Sequence, residues 1–140
     1  MKILVPVDGS AYSLKAVENA CNLAKSNPPS TLVLVAAATD IADLAEGRYI
    51  YEKMKAQAEA ALAKAKETVQ AKGLTAEVIL ASGPSPAEEI VEVAKKEKAD
   101  LIVIGSRGLG GKTRSFIGST ASKVVTYSPC SVMVVKLQED

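Results

Sequence analysis

The stretch ADLIVIGSRGLGGKTRSFIGST, residues 99–120, decides the fold, because it holds a strand, a loop and a helix start in one piece. The apolar run Asp100–Ile104 predicts a buried β-strand. A glycine-rich loop follows, and Ser119–Tyr127 then has the apolar spacing of a helix. A strand, a loop and a helix in this order are the repeating unit of an α/β fold.

The glycine spacing of this loop indicates phosphate binding. Gly105, Gly108 and Gly118, followed by Ser119, give the pattern Gly-x2-Gly-x9-Gly-Ser. Glycine lets the backbone approach a ligand closely, and the N–H groups and dipole of a helix N-terminus favour an anion. The loop also carries three cations, Arg107, Lys112 and Arg114. These features predict a nucleotide phosphate site, with a ligand-free glycine-rich loop as the alternative.

Two better-known phosphate loops do not fit this stretch. A P-loop ending at Gly111-Lys112-Thr113 would need its first glycine at position 106, which is Ser106. The dinucleotide fingerprint Gly-x-Gly-x-x-Gly fails because Thr113 stands where the third glycine is required. The loop is therefore of another kind.

The whole chain alternates between apolar runs and helical patterns. Five strands are predicted, at Lys2–Val7, Thr31–Ala38, Leu74–Ala81, Asp100–Ile104 and Ser131–Lys136. Four helices are predicted, around Leu14–Ala24, Met54–Val69, Ala87–Ala94 and Ser119–Tyr127. The third opens with the capping box Ser85-Pro86-Ala87-Glu88. This order predicts an open, doubly wound parallel sheet with helices on both faces. Thr39–Tyr49 has no clear pattern, and we interpret it as a surface loop or an irregular helix start near a ligand.

Length and composition narrow the possible partners. The chain has 140 residues, 48% hydrophobic and 24% charged, which predicts a single domain over residues 1–140. Seventeen basic residues against 16 acidic ones give a net charge of +1, so no nucleic-acid partner is expected. No apolar run approaches the ~18 residues of a membrane span, and Met1-Lys2 leads straight into a strand. We expect a cytoplasmic protein with no membrane partner.

The cysteine and histidine content limits the catalytic mechanisms open to this chain. Cys21 and Cys130 are the only cysteines and are predicted to be packing thiols. The sequence contains no histidine, which removes Ser-His-Asp and Cys-His mechanisms and the usual zinc ligands. No catalytic residue is predicted.

The loops after the first and fourth strands are expected to share one crevice. Open α/β sheets bind ligands beyond the carboxyl ends of the strands, where the strand order reverses. Asp8-Gly9-Ser10 follows the first strand and the glycine-rich loop follows the fourth. An aspartate in this position also forms turns or caps helices, and that alternative stays open for Asp8.

Four motifs together resemble the universal stress protein family. They are VPVDGS at 5–10, DLIVIGSRG at 100–108, IGSTA at 117–121 and SPCSVMVV at 128–135. The resemblance covers essentially the whole chain. It implies a flavodoxin-like sheet of five strands in the order 3-2-1-4-5. It also implies the ATP-binding branch, whose hallmark is the glycine spacing described above.

The resemblance assigns roles to particular residues. Pro6, Val7 and Asp8 would line the adenosine end, with Asp8 accepting hydrogen bonds from the ribose or the adenine edge. Ala37 would meet the adenine. The ribose and phosphates would contact Gly105, Arg107, Gly108, Gly118, Ser119 and Thr120. Many relatives carry histidine in place of Arg107, so this chain has an added fixed positive charge beside the site. Many also carry His-Val in place of Ala36-Ala37, so the side chains beside the adenine are smaller in this chain.

Partners and activity are expectations of the same kind. The last strand is apolar on both faces and lies at an edge of the implied sheet, which predicts a homodimer through that strand. The alternative is an edge shielded by Leu137-Gln138. ATP is the implied cofactor, and Asp8 is the residue that would hold Mg²⁺ through water, with the metal itself left undetermined. The favoured function is a nucleotide-responsive regulatory or stress-survival protein, at most a slow ATPase. A dedicated ATP hydrolase and an interaction protein with an empty pocket are the alternatives.

Overall fold

The computed structural model describes residues 1–40, 45–108 and 117–137. Its five strands are β1 (Lys2–Pro6), β2 (Thr31–Thr39), β3 (Ala76–Gly83), β4 (Leu101–Gly105) and β5 (Ser131–Val135). Its helices are α1 (Ala11–Ser26), α2 (Ala45–Ala71), α3 (Pro86–Glu97) and α4 (Ser119–Tyr127). The predicted strands and helices are all present, with β3 displaced by two residues toward the C-terminus. No helix within these ranges is both long and apolar enough to cross a membrane.

All strands are parallel and lie in the order β3-β2-β1-β4-β5, which confirms the predicted topology. Alternate residues of β1 face opposite sides, as the pleat requires. Ile3 and Val5 pack in one core with α1 and α2, whereas Leu4 packs in a second core with α3 and α4. The apolar strands read as continuous runs because both faces of the sheet are covered.

The strand order reverses between β1 and β4. These strands are neighbours, with Ile3 in register with Leu101, yet they lead to helices on opposite faces of the sheet. Their carboxyl ends therefore border the crevice in which open α/β sheets bind ligands.

The early turns of the helix α2 reach this same end of the sheet. The helix has 27 residues and is about 40 Å long at 1.5 Å per residue. Among the described side chains of α2, the buried positions run from Ala58 to Val69, and the half-buried Tyr51 packs against the same core two turns earlier. Thr39 ends β2 and the helix begins at Ala45, which identifies part of the unpatterned segment Thr39–Tyr49 as a helix start. Residues 41–44 lie outside the described ranges.

Two local predictions are confirmed by side-chain geometry. The Ser85 hydroxyl caps α3 by accepting a hydrogen bond from the Glu88 N–H at 3.5 Å, with Pro86 in the first turn. Cys21 is fully buried in the core formed with α1 and α2. Burial raises the pKa of the Cys21 thiol above its ordinary value of 9.0, which keeps it a neutral packing group.

Candidate functional site

A cavity of about 650 Å³ opens at the carboxyl ends of β1, β2 and β4. Its size is typical of a small-molecule site. It brings together every site residue expected from the sequence: Pro6, Val7, Asp8, Ala37, Gly105, Arg107, Gly108, Gly118, Ser119 and Thr120. Their contact with a nucleotide stays a prediction, but their convergence on one cavity is an observation.

The loop after β1 combines a turn with an exposed carboxylate. Asp8 Oδ1 accepts a hydrogen bond from the Ser10 N–H at 2.9 Å, so the alternative of a turn-forming aspartate describes part of its role. The Asp8 N–H donates to Ser13 Oγ at 3.3 Å. Ser10 Oγ accepts from the Ser13 N–H at 3.1 Å and caps α1. Asp8 is therefore held in place by the start of α1 while it lines the cavity.

The amino end of α4 has a different arrangement. Gly118 is its N-cap, and no side chain in the described part of the chain hydrogen-bonds to this helix start. The Gly118 N–H donates to the Ser106 carbonyl at 2.6 Å. The next three residues, Ser119, Thr120 and Ala121, all line the cavity, and their amides have no partners within the helix. This helix start therefore has the free amides that can hold an anion in the cavity wall.

Arg107 adds a fixed positive charge close to these amides. Its side chain lines the cavity although the residue is only 9% exposed. A guanidinium stays protonated at all ordinary pH values. The other two cations of the predicted loop, Lys112 and Arg114, lie outside the described residues. Within the described ranges, no group of three or more potential metal ligands lies together.

The three site glycines have different surroundings. A Cβ on Gly105 would lie 2.8 Å from the carbonyl carbon of Tyr12, so the packing of β4 against α1 requires this glycine. A Cβ on Gly108 would collide with Asp8 Oδ2, which shows how closely the two loops approach each other. A Cβ on Gly118 would lie 3.3 Å from the Ser106 carbonyl oxygen, a tight contact. The prediction of Gly105 as a ligand contact thus coincides with a packing role.

The end of the cavity away from α4, beside β1 and β2, is lined by apolar side chains. The β2 backbone supplies polar groups there. The Val7 N–H donates to the Val35 carbonyl at 2.8 Å, so the backbone groups of Val35 point toward β1. Those of Ala37, two residues further on, point to the same side. The paired part of β1 ends at Pro6, in register with Val35. The N–H and C=O of Ala37 therefore lie beside the cavity as a donor and an acceptor.

Sequence reasoning missed several residues of the cavity wall. Ser13 precedes the predicted helix around Leu14–Ala24 and was given no role, although the spacing of Asp8, Ser10 and Ser13 suits a capped turn. Met54 was predicted to begin the apolar period of its helix, and it lines the cavity from that helix. Pro86 and Ile90 were assigned only to the cap and inner face of α3.

The chain belongs to the universal stress protein family, which it matches over residues 1–136. A universal stress protein of Methanocaldococcus jannaschii is 38% identical over 96% of this chain and 81% of its own length. Among solved structures, the universal stress protein UspA from Lactobacillus plantarum is 30% identical, with 96% and 97% of the two chains covered and a TM-score of 0.81. A universal stress protein in complex with cAMP is 28% identical, with 96% of each chain covered and a TM-score of 0.72.

Proposed function

We propose that this protein binds adenine nucleotides, ATP in particular, and acts as a nucleotide-responsive regulatory or stress-survival protein. The observation that carries the proposal is the amino end of α4, which lies in the cavity wall and receives no cap from the side chains that the structure describes. The relative solved in complex with cAMP supports an adenine nucleotide as the ligand.

The phosphate end would be formed by backbone amides and one buried cation. The amides of Ser119, Thr120 and Ala121 have no partners within the helix, and no described side chain caps them, so they would donate to a phosphate. The Arg107 guanidinium supplies positive charge from within the wall. Charge-assisted hydrogen bonds of this kind are about twice as strong as neutral ones, which favours a phosphate chain over a neutral ligand.

The nucleoside end would be formed by β1 and β2. The Ala37 N–H and C=O match the acceptor and donor on one edge of adenine. Asp8 lies between this edge and the phosphate end, where its carboxylate would accept hydrogen bonds from the ribose. The small side chain of Ala37 leaves room for the base.

Binding with slow turnover is favoured over a dedicated ATP hydrolase. Asp8 is the only acidic residue among the described residues that line the cavity, and its Oδ1 already accepts a hydrogen bond from Ser10. The sequence contains no histidine to act as a base. We expect hydrolysis well below the ~10 s⁻¹ median of enzymes. Turnover near that median, abolished by Asp8→Asn, would support the hydrolase instead.

The test is to identify the nucleotide that the protein carries. Purified protein is denatured, any released nucleotide is identified by mass, and the emptied, refolded protein is titrated with ATP and Mg²⁺ by calorimetry. A released adenine nucleotide or a saturable heat supports the proposal. If no nucleotide is released and millimolar ATP gives neither heat nor a thermal shift, the proposal fails and the alternative of an interaction protein with an empty pocket is supported.

The proposal includes a homodimer formed through β5. This strand lies at an edge of the sheet, and Met133 is 38% exposed there. An open edge exposes unpaired backbone groups, which a two-fold partner covers symmetrically. The single domain over residues 1–140 and the cytoplasmic location stay predictions.

We expect Met133→Lys to convert the dimer to a monomer, because it places two like charges near the two-fold axis. Light scattering measures the mass. Val78→Lys is the matched control, since Val78 is 44% exposed on β3, at the other edge of the sheet. A dimer that persists in Met133→Lys and dissociates in Val78→Lys would place the interface on β3.

A further inference from the structure

Met54 lies in a position that sheet packing does not explain. It precedes Ala58, the first buried residue of α2, by one turn, and it is 36% exposed. Its side chain nevertheless lines the cavity. A large apolar side chain at the wall of a ligand cavity favours a function in contact with the ligand.

We propose that Met54 is a base-recognising residue that covers one face of the bound adenine ring. This inference rests on the proposed function and adds a specificity-determining residue to it. Methionine suits the role because its thioether is flexible and makes favourable contacts with aromatic rings.

The orientation of the ring follows from the strand geometry. The Ala37 N–H and C=O point along the sheet toward the β1 side. A ring that hydrogen-bonds to them through its edge lies roughly in the plane of the sheet. Its two faces are then turned toward the two helix layers. Met54 lines the cavity from α2 in one layer, and Pro86 and Ile90 line it from α3 in the other.

A hydrogen bond holds this part of α2 against the sheet. The Tyr51 hydroxyl lies 2.9 Å from Ser82 Oγ of β3. Ser82 is in register with Ala38, the neighbour of Ala37. Residues three apart share one side of a helix, so Tyr51 and Met54 face the sheet end together. Tyr51 is therefore a positioning residue that keeps Met54 near the base.

The first test measures ATP affinity by calorimetry in variants of Met54. We expect Met54→Ala to bind ATP about five- to tenfold more weakly, because the apolar cover of the ring is lost. Met54→Leu restores a similar volume and should bind within about twofold of the wild type. Gln57→Ala is the matched control, since Gln57 is exposed on the same helix and does not line the cavity. It should bind ATP as the wild type does.

The second test needs no substitution. The chain has three methionines, so selective ¹³C-methyl labelling gives three assignable signals. ATP should shift the Met54 methyl signal through the ring current of the base, whereas Met1 and Met133 do not line the cavity and should stay unchanged. Inorganic tripolyphosphate, which has no base, should leave the Met54 signal in place.

The outcomes separate this inference from the proposed function. If wild-type protein shows no ATP binding, the proposed function fails and the role of Met54 fails with it. If wild-type protein binds ATP, but Met54→Ala binds it equally well and the Met54 methyl does not move, only the role of Met54 is overturned. A methyl shift with ATP but not with tripolyphosphate supports it.

Discussion

The helices α1 and α4 begin at equivalent places and differ in how their first amides are used. Both follow central, neighbouring strands, β1 and β4, and both begin at the cavity. The start of α1 is closed, because Ser10 Oγ accepts from the Ser13 N–H and Asp8 Oδ1 accepts from the Ser10 N–H. The start of α4 is Gly118, to which no described side chain supplies a cap.

At the same edge of the sheet, the start of α1 therefore serves the stability of the fold and the start of α4 would serve binding. A side-chain cap satisfies one of the free N–H groups at a helix start and stabilises the fold. An uncapped start leaves them for water or a ligand. The chain therefore uses α1 to position Asp8 and leaves the amides of α4 available to a phosphate. Changes at the two helix starts should have opposite consequences.

The largest effect is expected from Gly118→Val. A branched side chain at the α4 start would occupy the space in which a phosphate approaches Ser119 and Thr120. Losing two charge-assisted hydrogen bonds should weaken ATP binding on the order of a hundredfold or more. Calorimetry measures the affinity, and the melting temperature serves as the control for folding. Normal ATP binding by this variant would contradict the assignment of the α4 start.

A smaller effect is expected from Asp8→Ala, which removes a carboxylate from the α1 side of the cavity. Binding should weaken by about 1.5–3 kcal/mol, because a charged hydrogen bond to the nucleoside is lost. Asp8→Asn is the informative control, since it can still accept the hydrogen bond from Ser10 and keep the turn. Equal ATP affinity in the wild type and both variants would reduce Asp8 to a turn former.

Gly118→Ser tests the comparison more finely by giving α4 the kind of cap that α1 has. Gly118 already has the extended backbone of an N-cap, with φ −62° and ψ 160°. A serine hydroxyl there should compete with phosphate for the first amides and weaken ATP binding roughly three- to tenfold. The variant should unfold at a temperature equal to or above that of the wild type. Tighter ATP binding than in the wild type would refute the competition.

The smallest effect on binding is expected from Ser10→Ala. It removes the hydroxyl cap of α1 but leaves the Ser10 N–H that donates to Asp8. The free energy of unfolding should fall by about 1 kcal/mol, while the ATP affinity stays within about twofold of the wild type. Denaturant unfolding and calorimetry give the two values. A large loss of affinity with unchanged stability would mean that both helix starts serve the ligand.

The alternation of strands and helices could be predicted from the period of the apolar residues, whereas the strand order that brings the site residues together was implied by the resemblance to the family. The runs at Thr31–Ala38 and Asp100–Ile104 are continuous because helices cover both faces of the sheet. Parallel strands direct the loops that follow them to one edge, so Asp8 and Gly108 had to meet once β1 and β4 were neighbours.

The remaining features had no pattern to reveal them. The helix α2 begins at Ala45, nine residues before Met54, where the apolar period begins. Tyr49, Ile50 and Tyr51 are consecutive, so no helical apolar period marks these turns. At Gly105 the sequence pattern is clear, but it has two possible causes. The glycine suits a ligand contact, yet contact with Tyr12 already requires it. A sequence cannot separate two reasons for one small residue.

The central claim is tested most directly by following backbone amides of ¹⁵N-labelled protein during an ATP titration. The α4 amides of Ser119 and Thr120 should shift strongly and saturably, because they bind the phosphates. The α1 amide of Ser13, whose N–H already donates to Ser10 Oγ, should move far less. Unmoved α4 amides at millimolar ATP, or larger shifts at the start of α1, would contradict the account.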